Sequence, residues 1–321
     1  MPDSFSTPPA KAWIITGPTS GFGRRAALEL ASRGTVVLVG RDPAKLAQVQ
    51  AAIQARPGGR AEQVVADLSD IQSARRAAAE IVALGLPLAG LLNNAGIMPS
   101  QPGSSAQGWD IAFATNHLGP FAFTEALIPH LPDGANVVFT CSGVEDPERK
   151  PAVIAGFRGG RFISVEASAR GEWAPGGSTH AGFDAYATSK QCELATVYAF
   201  ARETPRLRFN AVEPGFSPGT GLGRDAPAVL RFIAKYMLTP LAPLIKYWST
   251  PAHGGRVLAQ VLTSESGQTG TYYDENGKPM TASAQVRDPA FVTRVVTETR
   301  SLLATVPTDS PIQSLPARKE P

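Results

Sequence analysis

Only two cysteines, Cys141 and Cys192, occur in 321 residues. They lie far apart and fit neither a metal-binding nor a redox spacing, which argues against a disulfide scaffold and for a reducing, cytoplasmic setting. The four histidines, His117, His130, His180 and His253, show no ligand spacing, so no metal is expected. Excess charge is also missing: 30 basic residues face 27 acidic ones, and no basic run marks a nucleic-acid partner. No apolar stretch is long enough to span a membrane, which takes about 20 nearly uncharged residues. The longest, 226–248, is broken by Arg231, Lys235, Pro240, Pro243 and Lys246. Residues 1–10 lack the basic start and apolar centre of a secretion signal and read as a disordered start.

What is present is alternation. Short apolar runs at 12–16, 35–39, 63–66, 89–92, 136–140, 208–212 and 270–273 read as strands. Helical patterns fall between them at 21–33, 43–55, 70–84, 110–131 and 183–203. Such a chain predicts an α/β fold: a doubly wound parallel sheet, with ligands at the carboxyl ends of the strands. A hydrophobic content of 43% supports a sizeable core, read here as a single domain over 11–303. Two stretches break the rhythm. Residues 143–182, rich in Gly, Pro and charge, read as an insertion on the substrate side, and 304–321 as a disordered tail. Residues 224–248 read as a substrate lid. Apolar and basic residues within them could also form an interfacial membrane helix, but Pro240 and Pro243 would break it, so the lid is preferred.

Thr16-Gly17-Pro18-Thr19-Ser20-Gly21-Phe22-Gly23 follows a strand and opens a helix. A dinucleotide pyrophosphate needs that context, because glycines permit close backbone approach and free N–H groups at the helix start face the anion. Gly17, Thr19, Ser20, Gly21, Phe22 and Gly23 are therefore candidate cofactor contacts. Asp67, followed by Leu68, ends the third strand and can either hydrogen-bond an adenine edge or serve the start of the next helix. Asn93, Ala95 and Gly96, in Asn93-Asn94-Ala95-Gly96, end the fourth strand, where small residues let the backbone approach a ribose. At the end of the second strand, Gly40 leaves room and Arg41 supplies positive charge, which favours the 2′-phosphate of NADP(H) over NAD(H). Asp42, before Pro43, reads as a helix cap.

Tyr186 and Lys190 stand four residues apart on a predicted helix, so both reach one point. A phenol ionises near 10, and bringing it to neutrality takes about 4 kcal/mol. One positive charge about 4 Å away supplies about that at an effective dielectric of 20. Lys190 alone is thus of the right size. Ser142, at the end of the strand over 136–140, can orient and polarise a carbonyl oxygen as a donor. Asn116 is a candidate to hold a water linking Lys190 to solvent, and Cys141, alternating with Ser142, should point into packing.

The motifs TGPTSGFG, NNAG, ATNHLGPF, VVFTCSG, YATSK and EPG occur in an order that resembles the short-chain dehydrogenase/reductase family. The resemblance implies a Rossmann-type sheet and a catalytic tetrad of Asn116, Ser142, Tyr186 and Lys190. It also implies coenzyme contacts at Tyr186, Lys190, Pro214, Gly215 and Thr220. Within the family, TNHLGPF and PGFSPGTGL are similar to the retinol dehydrogenase and protochlorophyllide reductase branch. The insertion holds no cysteine, which argues against a light-driven tetrapyrrole reduction. The expected activity interconverts a carbonyl and an alcohol on a medium-sized apolar or aromatic small molecule. Homodimers or homotetramers would form through the helices carrying Asn116 and Tyr186. A nucleotide-sugar epimerase or dehydratase is the first rival, opposed by the glycine spacing. A non-catalytic redox sensor is the second, opposed by an intact tetrad.

Overall fold

Seven parallel strands form one sheet among the described residues, in the order β3-β2-β1-β4-β5-β6-β7. They are β1 (Ala12–Thr16), β2 (Thr35–Gly40), β3 (Arg60–Val65), β4 (Leu88–Asn93), β5 (Asn136–Thr140), β6 (Arg208–Val212) and β7 (Thr271–Tyr273). The computed structural model describes residues 11–217 and 247–307. Thr220, nearly all of the lid at 224–248 and both expected disordered ends except 304–307 lie outside them.

β1 and the first five residues of β2 are buried, as expected of strands covered by helices on two sides. β3 forms one edge, and its exposed Arg60 and Glu62 hide its first half from a reading based on apolar runs. The strand order reverses between β1 and β4, which are in register at Ile15 and Leu92. That reversal opens a crevice at their carboxyl ends.

The helices are α1 (Gly21–Leu30), α2 (Pro43–Gln54), α3 (Ile71–Ala83), α4 (Ile111–Phe113), α5 (Gly119–Leu127), α6 (Lys150–Ile154), α7 (Val165–Ala169), α8 (Phe183–Glu203), α9 (Pro251–Thr263) and α10 (Pro289–Ala304). A π-helical turn, Ala114–Leu118, joins α4 to α5, so the helix expected over 110–131 is broken at Asn116. Helical periodicity cannot reveal a widened turn, and such turns recur at functional sites. The insertion is a packed segment: the buried Glu145 carboxylate accepts from Ser283 N (2.9 Å) and Oγ (2.5 Å), and Arg161 N donates to Thr188 Oγ1 (2.8 Å).

α9 and α10 match none of the motifs, yet each backs a helix that carries one. A Cβ on Gly254 would come within 2.4 Å of the Phe22 ring, and one on Gly255 within 2.5 Å of Arg25 Cβ, so only glycine lets α9 lie this close to α1. α10 crosses α5 and α8. Its Arg300 bonds Glu125 and Glu203 at 2.7 Å each and lies 5.9 and 5.8 Å from the Phe121 and Phe200 ring centroids. Order also runs past 304, where the sequence tail was expected to start: Arg75 donates to the carbonyls of Leu303 (2.9 Å) and Val306 (3.0 Å).

His117 is buried between α5 and α10, with Nε2 2.9 Å from Thr299 Oγ1 and its ring against Phe113 and Phe121. Burial pushes its pKa from 6.5 down to about 3. A depressed folded value stabilises the native state above the unfolded pKa, and that stability drains away as pH falls from 6.5 toward 3. Between pH 7 and 4 the wild-type protein should therefore lose about 3 kcal/mol more than His117→Gln, read from urea midpoints. Equal slopes in the two proteins would refute this.

Candidate active site

The glycine turn meets the end of β4 in a close stitch. Thr16 Oγ1 accepts from Asn94 N (2.9 Å) and Ala95 N (3.0 Å), while Asn94 Nδ2 donates to the carbonyls of Thr16 (3.0 Å) and Gly17 (3.2 Å). Gly17 has φ +66°, and a Cβ there would sit 2.8 Å from Ala95 Cα. A Cβ on Gly23 would sit 2.3 Å from both Asn94 Nδ2 and Gly17 O. Ser20 precedes α1 without making a side-chain cap, so the first N–H groups of that helix remain available to an anion. Thr19 is partly buried and Ser20 and Arg24 are exposed beside this turn. The arrangement fits a dinucleotide pyrophosphate.

At three of the expected coenzyme contacts the side chain is turned away, which leaves backbone groups to face the crevice. The Phe22 ring packs under α9, as described. The Asn93 side chain is buried and donates to Thr124 Oγ1 (2.8 Å) on α5, so its neighbour Asn94, not singled out in the sequence, holds the crevice. Leu68 is buried, its carbonyl 1.8 Å from where a Gly119 Cβ would stand, which lets the start of α5 close onto it.

At the other end of the crevice, Arg41 follows β2 with its side chain half exposed, 3.9 Å from Asp67 Oδ2. Asp67 Oδ1 accepts from Ser69 N (2.9 Å) and Oγ (2.8 Å), while Asp70 caps α3. Asp67 thus shapes the turn before the helix and stays partly open to the crevice. Asp42 caps α2 through Lys45 N (3.1 Å), as its position before Pro43 implies.

Ser142 follows β5, and its hydroxyl lies close enough to the phenol of Tyr186 on α8 to pull that group's proton affinity down. Lys190, one turn on, donates to Thr140 O (2.9 Å) and Glu193 Oε2 (2.7 Å), and its Nζ lies 5.6 Å from the Tyr186 ring centroid. Gly96 sits beside this group, since a Cβ on it would be 3.6 Å from Lys190 Nζ and 3.4 Å from Asn116 Oδ1. Tyr186 departs from the simple electrostatic expectation. Burial pushes its pKa above 10, Lys190 and the Ser142 hydrogen bond pull it down, and Glu193 adds to the rise. The expectation omitted both burial and the carboxylate that offsets the ammonium.

Asn116 stands at the π-helical turn with its side chain fully bonded. Its Nδ2 donates to Ile97 O (2.9 Å) and Ser189 Oγ (2.9 Å), and its Oδ1 accepts from Ile97 N (2.8 Å). Both amide donors are committed to protein, so the side chain locks the segment after β4 to α8. Cys141 is buried in packing, as expected, with its thiol pushed upward mainly by burial.

An apolar wall stands over Tyr186. Phe157 stacks on Phe183 (4.0 Å, 11°) and lies 6.4 Å from the Tyr186 ring, with Met98 and Val144 packed alongside. Pro214 and Gly215 follow β6 on the far side. Gly215 has φ +80°, and a Cβ there would press on Glu275 and Ser249 at 3.0 Å. Glu213, just before them, is paired with Arg149 from the insertion. Nothing local in the sequence links 149 to 213, so the pair has no signature there.

Known proteins of similar sequence and fold point to one family. The family model described as short chain dehydrogenase matches residues 11–151. Dehydrogenase/reductase SDR family member 12 of Bos taurus is 30% identical over 233 residues, covering 71% of this chain and 67% of that protein. Protochlorophyllide reductase of Pisum sativum is 27% identical over 86% of this chain and 73% of its own length. Short-chain dehydrogenase/reductase pkfC of Emericella nidulans is 34% identical, but the match spans only 50% of its length; with polyprenol dehydrogenase of Mus musculus it spans 37%. Among solved structures, a short chain dehydrogenase from Burkholderia cenocepacia J2315 in complex with NADP superposes with TM-score 0.61 at 25% identity, over 84% of this chain and 98% of that one. With sequence relatives and folded neighbours pointing the same way, the chain belongs to the short-chain dehydrogenase/reductase family of oxidoreductases.

Proposed function

We propose that this protein is an NADP(H)-dependent oxidoreductase that interconverts a carbonyl and an alcohol on a medium-sized apolar or aromatic small molecule. The observation carrying the proposal is the meeting of the Ser142 hydroxyl, the Tyr186 phenol and the Lys190 ammonium beside Gly96, at the carboxyl end of the sheet.

The turn over 16–23 and Asn94 would hold the pyrophosphate, Arg41 a 2′-phosphate, and Pro214 and Gly215 the nicotinamide end. When bound, the nicotinamide supplies or takes up hydride. In carbonyl reduction Ser142 donates a hydrogen bond to the carbonyl oxygen and fixes its direction. Tyr186 then delivers its phenolic proton to that oxygen as hydride arrives at carbon, and in the reverse direction it takes the proton back. Lys190 favours the phenolate that remains. Phe157, Phe183, Met98 and Val144 present no charge to the substrate and exclude water on one side, which suits an apolar or aromatic carbonyl. No helix among the described residues is long and apolar enough to cross a membrane.

Coenzyme consumption at 340 nm, measured against a panel of aromatic and aliphatic aldehydes, ketones and quinones, tests the reading. NADPH-dependent reduction of at least one apolar carbonyl is expected. Tight NADPH binding with no turnover across the panel would instead favour a sensor.

A further inference from the structure

Glu193 enters none of the steps above, yet its carboxylate touches the group that controls them. It lies on α8, one turn beyond Lys190, and both side chains are almost wholly withdrawn from solvent, at 2% and 5% exposure. The 2.7 Å contact and the bond to Thr140 O occupy two of the three ammonium N–H groups. On α8 its other titratable neighbours are Tyr186 and Cys192; Cys141 approaches from β5, and Glu298 of α10 acts on Cys192. Both thiols are pushed up by burial and stay neutral, so the charge facing Glu193 is that of Lys190.

We propose that Glu193 is a positioning residue that sets the proton affinity of Tyr186 by offsetting the charge of Lys190. The inference rests on the reading of Tyr186 as acid and base. With Glu193 ionised, Tyr186 faces an almost neutral pair and holds its proton. With Glu193 protonated, the ammonium acts on the phenol unopposed. Burial moves the Glu193 carboxyl up to about 7, so the exchange between these states falls where the enzyme would work. A residue that merely satisfied a buried lysine would be replaceable by glutamine without consequence for Tyr186.

The test is NMR of protein labelled with [13Cζ]tyrosine, the Tyr186 resonance being assigned by its absence from Tyr186→Phe. In Glu193→Gln, the ionisation midpoint of Tyr186 should fall by about one to two pH units relative to wild type. Glu193→Asp, which keeps the charge, should stay within about half a unit of wild type. Coincident midpoints in wild type and Glu193→Gln overturn the proposal, as does a Tyr186 that stays un-ionised to alkaline unfolding in both.

Should the Gln variant not fold, the wild-type protein supplies the decision. Its Tyr186 resonance should show an inflection near pH 7 as Glu193 titrates, and a flat trace there refutes the idea. The activity reading fails separately, if Tyr186→Phe keeps its turnover.

Discussion

Replacing Tyr186 by Phe should lower kcat by at least about 10³-fold, within the range a positioned general acid contributes, and leave coenzyme binding within a few-fold of wild type. The ring is what packs: it lies 6.4 Å from Phe157 and belongs to the apolar cluster with Ala152 and Ala187. Phe keeps those contacts and removes only the hydroxyl that meets Ser142. The melting temperature should therefore hardly move while turnover disappears. That combination separates loss of chemistry from loss of fold. Measured with any carbonyl accepted in the panel, turnover surviving at a tenth of wild type or better would remove Tyr186 from the mechanism.

Arg41→Ala should weaken NADPH binding about 100-fold, as expected for losing a charge-assisted contact worth about 3 kcal/mol. NADH binding should change by less than about threefold. Fluorescence titration with each coenzyme reads both numbers without a substrate. The asymmetry follows from Asp67, 3.9 Å from the guanidinium. Without Arg41, an uncompensated carboxylate would repel a 2′-phosphate yet could accept a hydrogen bond from a 2′-hydroxyl. The side chains are 50% and 43% exposed, so the preference should also shrink as salt rises. Equal weakening for both coenzymes would mean that Arg41 does not read the 2′ position.

Legibility in the sequence followed burial. β1, β5, α8 and β6 have the bounds their apolar patterns imply, because their side chains are nearly all packed and the pattern reports packing directly. β3 reads shorter in the sequence than it is, because its edge position tolerates charge. The nucleus of the site was readable, since YATSK fixes two side chains on one face of a helix and the glycine turn needs a particular backbone. Lys190 and Glu193 show the limit. Their i,i+3 spacing was visible, but not that both would be buried, and burial is what turns an ordinary helix pair into a control on Tyr186. Asn93 and Asn94 show another: period-two alternation sends one toward α5 and the other into the crevice, and the motif alone does not say which. Links such as Arg149 to Glu213 and Glu145 to Ser283 join distant parts of the chain and have no local signature.

The position of α10 governs the order in which the molecule can be completed. On a ribosome adding about 5–20 residues per second, α10 emerges on the order of 5–20 s after Tyr186. Until then α5 and α8 present Phe121 and Phe200 with no guanidinium across them, and His117 has no Thr299 to bond. The nascent protein therefore carries an uncovered aromatic pair on α5 and α8 until α10 is made, the kind of surface that chaperones hold.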